Sequence, residues 1–438
     1  MEALRKLRIM VRRHGPAAPI WRRRIALSIG AVSVGLAALL FARLADSASH
    51  VFTHHIAKHW WLPLILTPAG FALIAWCTRT FAPETAGSGI PQVIAATRDP
   101  PRAVPLLIPL RAAAMKLILT VAALLVGGSV GREGPTVQIS AAIMAGYHRL
   151  LQVPLRASVI IAGGAAGVAA AFNTPLAGLT FAIEELADAY EQRMALLAMT
   201  TILIAGMVSL GLAGDYVYFG FVRQTMHFSG ALRVAPIAGI AGGLTGGLFA
   251  RMMLDIDRYK DRWIPAMRDQ PVRWALLCGA VVALTGVSTG LTWGTGYEAA
   301  RGIIEGTETP YWYGPSKLIA TLATAVAGIP GGIFAPSLSA GAGLGAILKA
   351  IFPDEPGGAV VLLGMVAYFT GVVRAPLTAV IIIVEATASR GLILPLFTAA
   401  LIAHGTSRLV CKERLYHGLA QPWHAKLAAE STKAGKDA

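Results

Sequence analysis

Apolar stretches long enough to sit in a bilayer follow one another along almost the whole chain, and most are interrupted by Gly or Pro. They fall near 25–46, 60–80, 105–129, 135–151, 157–183, 195–213, 234–253, 273–293, 316–329, 333–352, 357–373, 376–388 and 391–410. A plain helical span needs about 20 apolar residues, and several of these are shorter. Breaks occur at Gly127/Gly128, Pro135, Gly163/Gly164, Pro175, Gly331/Gly332, Pro336 and Pro376. Non-helical backbone at membrane depth survives only where its freed polar groups face protein or a wet cavity. Composition agrees, because 55% hydrophobic and 14% charged residues leave too little polar surface for a water-soluble globule of 438 residues. The same figures exclude disorder. The pattern predicts an all-helical polytopic membrane protein with broken helices.

Charge orients it. Lys plus Arg number 38 against 23 acids, a net of +15. Arg5, Lys6, Arg8, Arg12, Arg13, Arg22, Arg23 and Arg24 face only Glu2 within residues 1–24. Such a run can bind nucleic acid. Here it abuts the apolar Ile25–Leu40, so the positive-inside rule accounts for it and places the N-terminus in the cytosol, with no nucleic-acid partner. No small-residue cleavage site follows, which argues against a signal peptide. Arg251–Arg273 reads as another cytosolic loop. The tail from Arg408, with Lys412, Arg414, Lys426, Lys433 and Lys436, places the C-terminus inside as well. The expected organisation is a basic cytosolic segment at 1–24, a transmembrane domain at 25–418 and a short cytosolic tail at 419–438. Cys77, Cys278 and Cys411 form no CxxC pair, so neither a disulfide framework nor a thiolate metal site is expected.

The chain also repeats itself. An ungapped offset of 201 residues lays Lys116-Leu117-Ile118 on Lys317-Leu318-Ile319, and Gly127, Gly131 and Pro135 on Gly328, Gly332 and Pro336. Further on, Gly163, Pro175 and Glu184 fall on Gly364, Pro376 and Glu385. Two similar halves are expected, at about 25–215 and 234–410, each presenting a broken helix to a common centre.

Three breaks carry chemistry. They are Gly87-Ser88-Gly89-Ile90-Pro91, Gly131-Arg132-Glu133-Gly134-Pro135 and Gly332-Ile333-Phe334-Ala335-Pro336. Each puts Gly just before a helix started by Pro, a residue tolerated in a first turn. The open N–H groups and dipole of such a start attract an anion without a full positive charge. A fixed Lys or Arg would hold the anion too tightly to release it. Taken singly, each break also fits an ordinary kink. Glu133 is an ionisable group inside an apolar run, at one of these helix starts. Its carboxylate can take the anion's place on the same amides and leave when protonated. The alternative is an acid that merely favours the helix dipole.

The three motifs, in this order and spacing, strongly resemble the CLC family of chloride channels and chloride/proton exchangers. Ala171–Gly178 followed by Glu184-Glu185 is similar to the bacterial members. The resemblance implies an all-α membrane fold of many broken, tilted helices in two inverted repeats, assembled as a homodimer with one pore per subunit. Carried over, Ser88 gives its hydroxyl, and Ile333 and Phe334 their amides, to a central chloride. The amides of Glu133, Gly134 and Ala335 line an outer site that Glu133 gates. A Tyr near the last helix supplies a second hydroxyl. Tyr416 stands there, although Lys412-Glu413-Arg414-Leu415-Tyr416 departs from the bacterial Lys-Pro-Leu-Tyr pattern. An interface anchor is the other reading of Tyr416.

Glu185 matches the internal proton relay of the exchangers, where passive channels resemble one another in an apolar residue. The repeat pairs Glu184 with Glu385, marking Glu184 as structural and Glu185 as the extra acid; a solvated helix-end Glu is the alternative. Ser88 resembles chloride-selective members, whereas nitrate exchangers have Pro and fluoride exporters Met at that place. The expectation is a secondary active chloride/proton antiporter of a prokaryotic inner membrane, not an enzyme, needing no cofactor. A passive voltage-gated chloride channel is the rival. The short tail after Tyr416 leaves no room for the paired regulatory domains of many eukaryotic relatives. His50, His54, His55 and His59 contain two i,i+4 pairs that could bind zinc or sense pH, but Trp60-Trp61 beside them suggests an interfacial belt. Lys116 and Lys317 are expected to snorkel or to pair within the protein. A serine hydrolase built on Ser88 would need a nearby base, and His404 alone lies well inside an apolar span.

Overall fold

Helices end before Gly127/Gly128 and Gly331/Gly332 and start at Pro175 and Pro376, whereas Gly163 and Gly164, expected as a break, lie inside one unbroken helix because their missing side chains let it pack closely on its neighbours. A computed structural model of the chain describes residues 17–187, 192–214, 217–263 and 270–434. The first half runs α1 (Ala17–Lys58), α2 (Pro63–Phe81), α3 (Ile90–Arg98), α4 (Pro100–Leu107), α5 (Leu110–Leu125), α6 (Glu133–Leu150), α7 (Ala157–Phe172), α8 (Pro175–Phe181) and α9 (Gln192–Ala213). The second runs α10 (Phe228–Trp263), α11 (Pro271–Thr289), α12 (Tyr297–Glu305), α13 (Tyr313–Val326), α14 (Phe334–Ile351), α15 (Gly357–Val373), α16 (Pro376–Thr387) and α17 (Ile393–Val410). It is followed by α18 (Leu415–Ala434). Eight helices among the described residues are long and apolar enough to cross a membrane. The protein is an integral membrane protein.

Two short apolar helices are buried in protein. In α7, fourteen of sixteen residues are buried, and in α15 sixteen of seventeen. A helix that is apolar all round belongs in a core, and here α7 packs on α6 while α15 packs on α14. Small residues allow that approach. A Cβ on Gly364 would lie 2.5 Å from the backbone of Gly345.

The repeat is structural. Helices α6 and α14 coincide at the offset of 201 residues, and the residues closing α7 and α15, Asn173 and Arg374, both adopt left-handed backbone, at φ 57° and 61°. An antiparallel bridge joins Gly131 to Gly332 at the centre, with N–H···O distances of 2.7 and 2.8 Å. Glu184 accepts hydrogen bonds from the amides of Leu377 (3.1 Å) and Thr378 (2.7 Å) at the start of α16. In return Glu385 accepts from Leu176 (3.2 Å) and Ala177 (2.9 Å) at the start of α8. Each half thus caps a broken helix of the other.

Several expected boundaries shift, among them Arg251–Trp263, read as loop but continuing α10, and the 105–129 stretch, which divides between α4 and α5. Helix α1 begins at Ala17, so Arg22, Arg23 and Arg24 ride on it, while Arg5, Lys6, Arg8, Arg12 and Arg13 lie outside the described residues. The 157–183 stretch divides at Asn173-Thr174, because Pro175 disfavours helix in the residue before it. Beyond residue 418 the chain continues as α18.

Candidate functional site

The three motif breaks meet. Gly87 N–H donates to Ile329 O (3.2 Å), Gly331 N–H donates to Gly87 O (3.0 Å), and the Gly131–Gly332 bridge ties in the second motif. Gly87 and Gly89 have φ of 69° and 95°, open to glycine at no steric cost. The approach is close: a Cβ on Gly134 would sit 3.1 Å from Ser88 O. The helices start one or two residues earlier than the Pro-first expectation, with Pro91 second in α3, and Pro135 and Pro336 third in α6 and α14. The first three amides of a helix lack intrahelical partners, so Pro costs no hydrogen bond there. None of the three helices is capped by its N-cap side chain (Gly89, Arg132 or Ile333), which keeps the amide ends open.

Glu133 lies in this junction, fully buried. Its Oε2 accepts from the Ala335 amide (3.4 Å) at the start of α14. Its Oε1 accepts from Tyr218 Oη (3.3 Å). The carboxylate folds back over Gly131, where a Cβ would come within 2.3 Å of Oε2. Arg132 turns away to Asp46, with both carboxylate oxygens at 3.0 Å, and to Ala42 O at 2.9 Å. Asp46, Arg132 and Tyr218 line a cavity of about 540 Å³ together with His50 and Gly294–Ala299.

Phe334 continues the line inward. Its ring contacts Phe181 (5.7 Å), Phe369 (5.1 Å) and Tyr416 (5.8 Å). Tyr416, second in α18, is fully buried, and its hydroxyl has no hydrogen-bond partner. It is therefore a core residue, and the interface-anchor reading is excluded. Ser88 is 9% exposed and its hydroxyl accepts the Ile90 amide (3.3 Å), in the local loop. Helix α18, which carries Tyr416, packs on α3, which follows Ser88.

Glu185 is fully buried, so it is not a solvated helix-end acid. It sits in a π turn, Ala182–Leu186, of a kind frequent at functional sites. Arg414 donates to its Oε2 at 2.7 Å, and His417 Nδ1 lies 3.3 Å from its Oε1. Arg414 and His417 also line a second cavity, of about 490 Å³, with Arg98, Arg374 and Lys412.

The two buried lysines do not snorkel but pair within the protein, with backbone carbonyls. Lys116 Nζ donates to the carbonyls of Thr85 (2.8 Å) and Gly87 (2.6 Å), bracing the Ser88 loop. Lys317 Nζ donates to those of Thr292 (2.9 Å) and Gly294 (2.9 Å). Gly294-Thr295-Gly296, with φ of 58° and 76° at its glycines, is thus the repeat mate of Gly87-Ser88-Gly89. It stands 207 residues on, six out of register, and an ungapped offset of 201 misses it. Sequence reasoning also missed Tyr218, Arg414 and His417 as neighbours of the two acids. The first lies in an irregular segment, and the others lie in what reads only as a basic tail. His50, His54, His55 and His59 are exposed around Trp60 and Trp61, and no metal-ligating group of three or more occurs among the described residues.

A profile described as voltage gated chloride channel matches residues 70–408. Among solved structures, a slow cyanobacterial Cl-/H+ antiporter superposes with a TM-score of 0.79 at 23% identity, covering 92% of this chain and 98% of that one. A CLC-type fluoride/proton antiporter gives 0.75 at 22% identity over 88% and 95% of the two chains. A eukaryotic CLC transporter gives 0.71 at 21% identity over 91% and 74%.

Proposed function

The chain belongs to the voltage gated chloride channel family, and from that premise we propose that it exchanges chloride for protons across a prokaryotic inner membrane. The proposal includes a homodimer with one pore per subunit and both termini in the cytosol. The observation that carries it is the Glu133 carboxylate seated on the α14 amide end, with a second buried acid, Glu185, beyond Phe334 and Tyr416.

Protonation of Glu133 removes the charge that the Ala335 amide and Tyr218 hydroxyl stabilise, and the side chain leaves. Chloride then takes the amides of Glu133, Gly134 and Ala335, and passes inward to those of Ile333 and Phe334 and the hydroxyls of Ser88 and Tyr416. Partial charges bind it weakly enough for release. Lys116 and Lys317 point their ammonium groups at backbone carbonyls, so neither is needed as an anion ligand in this reading. Glu185 carries the proton on the side of the second cavity, by a branch that chloride does not use.

Tyr218 holds Glu133 in place on this account. A neutral hydrogen bond contributes about 0.5–1.5 kcal/mol, and one to a charged group about 1.5–3 kcal/mol. Tyr218 donates to a carboxylate, so Tyr218→Phe should open the gate more often and raise chloride turnover about 10-fold or more, read as chloride efflux from vesicles. Unchanged turnover would remove Tyr218 from the gate.

The exchange itself is tested by imposing a chloride gradient on vesicles holding the purified protein. Proton movement against the chloride flow is expected. The profile's description favours a passive channel as the second reading, and chloride movement without protons under clamped voltage would select it.

A further inference from the structure

We propose that His417 passes protons between the basic cavity and Glu185, with Arg414 as the positioning residue that holds the Glu185 carboxylate at the cavity wall. This deepens the exchange reading of Glu185 and rests on it.

The two residues stand at a boundary between protein and solvent. Glu185 is fully buried, while the His417 side chain is 31% exposed and lines the 490 Å³ cavity. Their facing atoms, Glu185 Oε1 and His417 Nδ1, are 3.3 Å apart, and neither has another hydrogen-bond partner. A buried acceptor without a donor is costly. One proton on Nδ1 satisfies both atoms. Imidazole changes charge near neutral pH and carries protons on two distinct nitrogens, so it can take a proton on one side and release it on the other. Here Nε2 accepts a proton from cavity water, and the imidazolium gives its Nδ1 proton to Glu185 Oε1. A neutral Glu185 and a neutral Nε2–H imidazole result, and exchange with cavity water resets the tautomer.

Arg414 fixes the geometry. It donates to Glu185 Oε2 (2.7 Å) and to the Glu184 carbonyl (2.5 Å), which leaves Oε1 turned to His417. Arg374, closing α15, holds the chain before α18 through the carbonyls of Cys411 (3.2 Å) and Lys412 (3.0 Å). Other charges face the pair: Arg98 from α3, Lys412 and Glu413 before α18, and His424 further along it. Glu413 is paired with Arg258 of α10, His404 of α17 stands beside Arg374, and the Glu184 carboxylate is engaged on α16. Among the described residues, Glu185 is the acid whose oxygen contacts the His417 ring.

The test uses the full chain in vesicles under a chloride gradient, comparing the wild type with His417→Asn and His417→Gln. Proton flux should fall about 10-fold or more in both variants, since positioned acid–base groups contribute about 10²–10⁴-fold and cavity water replaces part of that. Chloride flux should persist, the number of chlorides moved per proton should rise, and free imidazole in the buffer should restore proton flux. Wild-type proton flux in both variants would overturn the proposal. So would a parallel loss of chloride and proton flux that imidazole does not restore, which would mark His417 as structural. A wild type that moves chloride with no protons would instead overturn the exchange reading beneath it.

Discussion

Vesicles carrying Glu133→Gln should still conduct chloride while chloride-driven proton movement falls to background, a loss of about 100-fold or more. Gln keeps the shape of the side chain: its oxygen can accept from the Ala335 amide while its NH2 donates to the Tyr218 hydroxyl oxygen. It cannot ionise, so it carries no proton. Hydrogen bonds to an ionised group are roughly twice as strong as neutral ones, so chloride displaces Gln from the α14 amides more readily than it displaces a carboxylate. Chloride flux should therefore hold or rise and lose its pH dependence. Loss of both fluxes would contradict a gating role and make Glu133 a structural brace.

The neighbouring acids Glu184 and Glu185 should separate stability from coupling. Glu184 accepts from two amides of α16 and from the Thr378 hydroxyl (2.7 Å), joining one half of the molecule to the other. Glu184→Gln keeps one acceptor oxygen but turns its NH2 on a backbone N–H of α16, so a charge-assisted bond is lost and the change should cost about 1.5–3 kcal/mol. The thermal inactivation midpoint in detergent should drop, and proton coupling should survive. Glu385→Gln, acting on α8, should behave alike. Glu185→Gln should do the reverse. Arg414 is 35% exposed and can turn to cavity water, so the midpoint moves little while proton flux falls about 100-fold, as loss of an essential proton carrier requires. A Glu184→Gln protein of unchanged stability that no longer couples protons would reverse the assignment.

Much of this was legible in the sequence because broken helices leave local marks. Pro175 and Pro376 start helices, Gly87 and Gly89 permit left-handed backbone, and apolar length marks the spans. The offset of 201 residues found α6 and α14, and with them the separate standing of Glu184. Partners supplied from irregular or distant segments left no such mark. Tyr218 reaches Glu133 across 85 positions from a stretch without periodicity, and Arg414 reaches Glu185 across 229. In the sequence Lys116 and Lys317 are simply cations within apolar spans, expected to snorkel or pair. Only the fold shows that each braces a glycine loop through its carbonyls, and that the loop at Gly294 exists as a mate.

The account stands on coupling of chloride to protons through two buried acids. The measurement that bears on it most directly is the zero-current voltage of the purified protein in a bilayer, with equal chloride on both sides and a pH difference imposed. Coupled exchange predicts a zero-current voltage displaced from zero, in the direction that opposes proton flow down its gradient, and abolished by Glu133→Gln. A zero-current voltage that stays at zero for every pH difference would contradict exchange and leave a passive chloride pore.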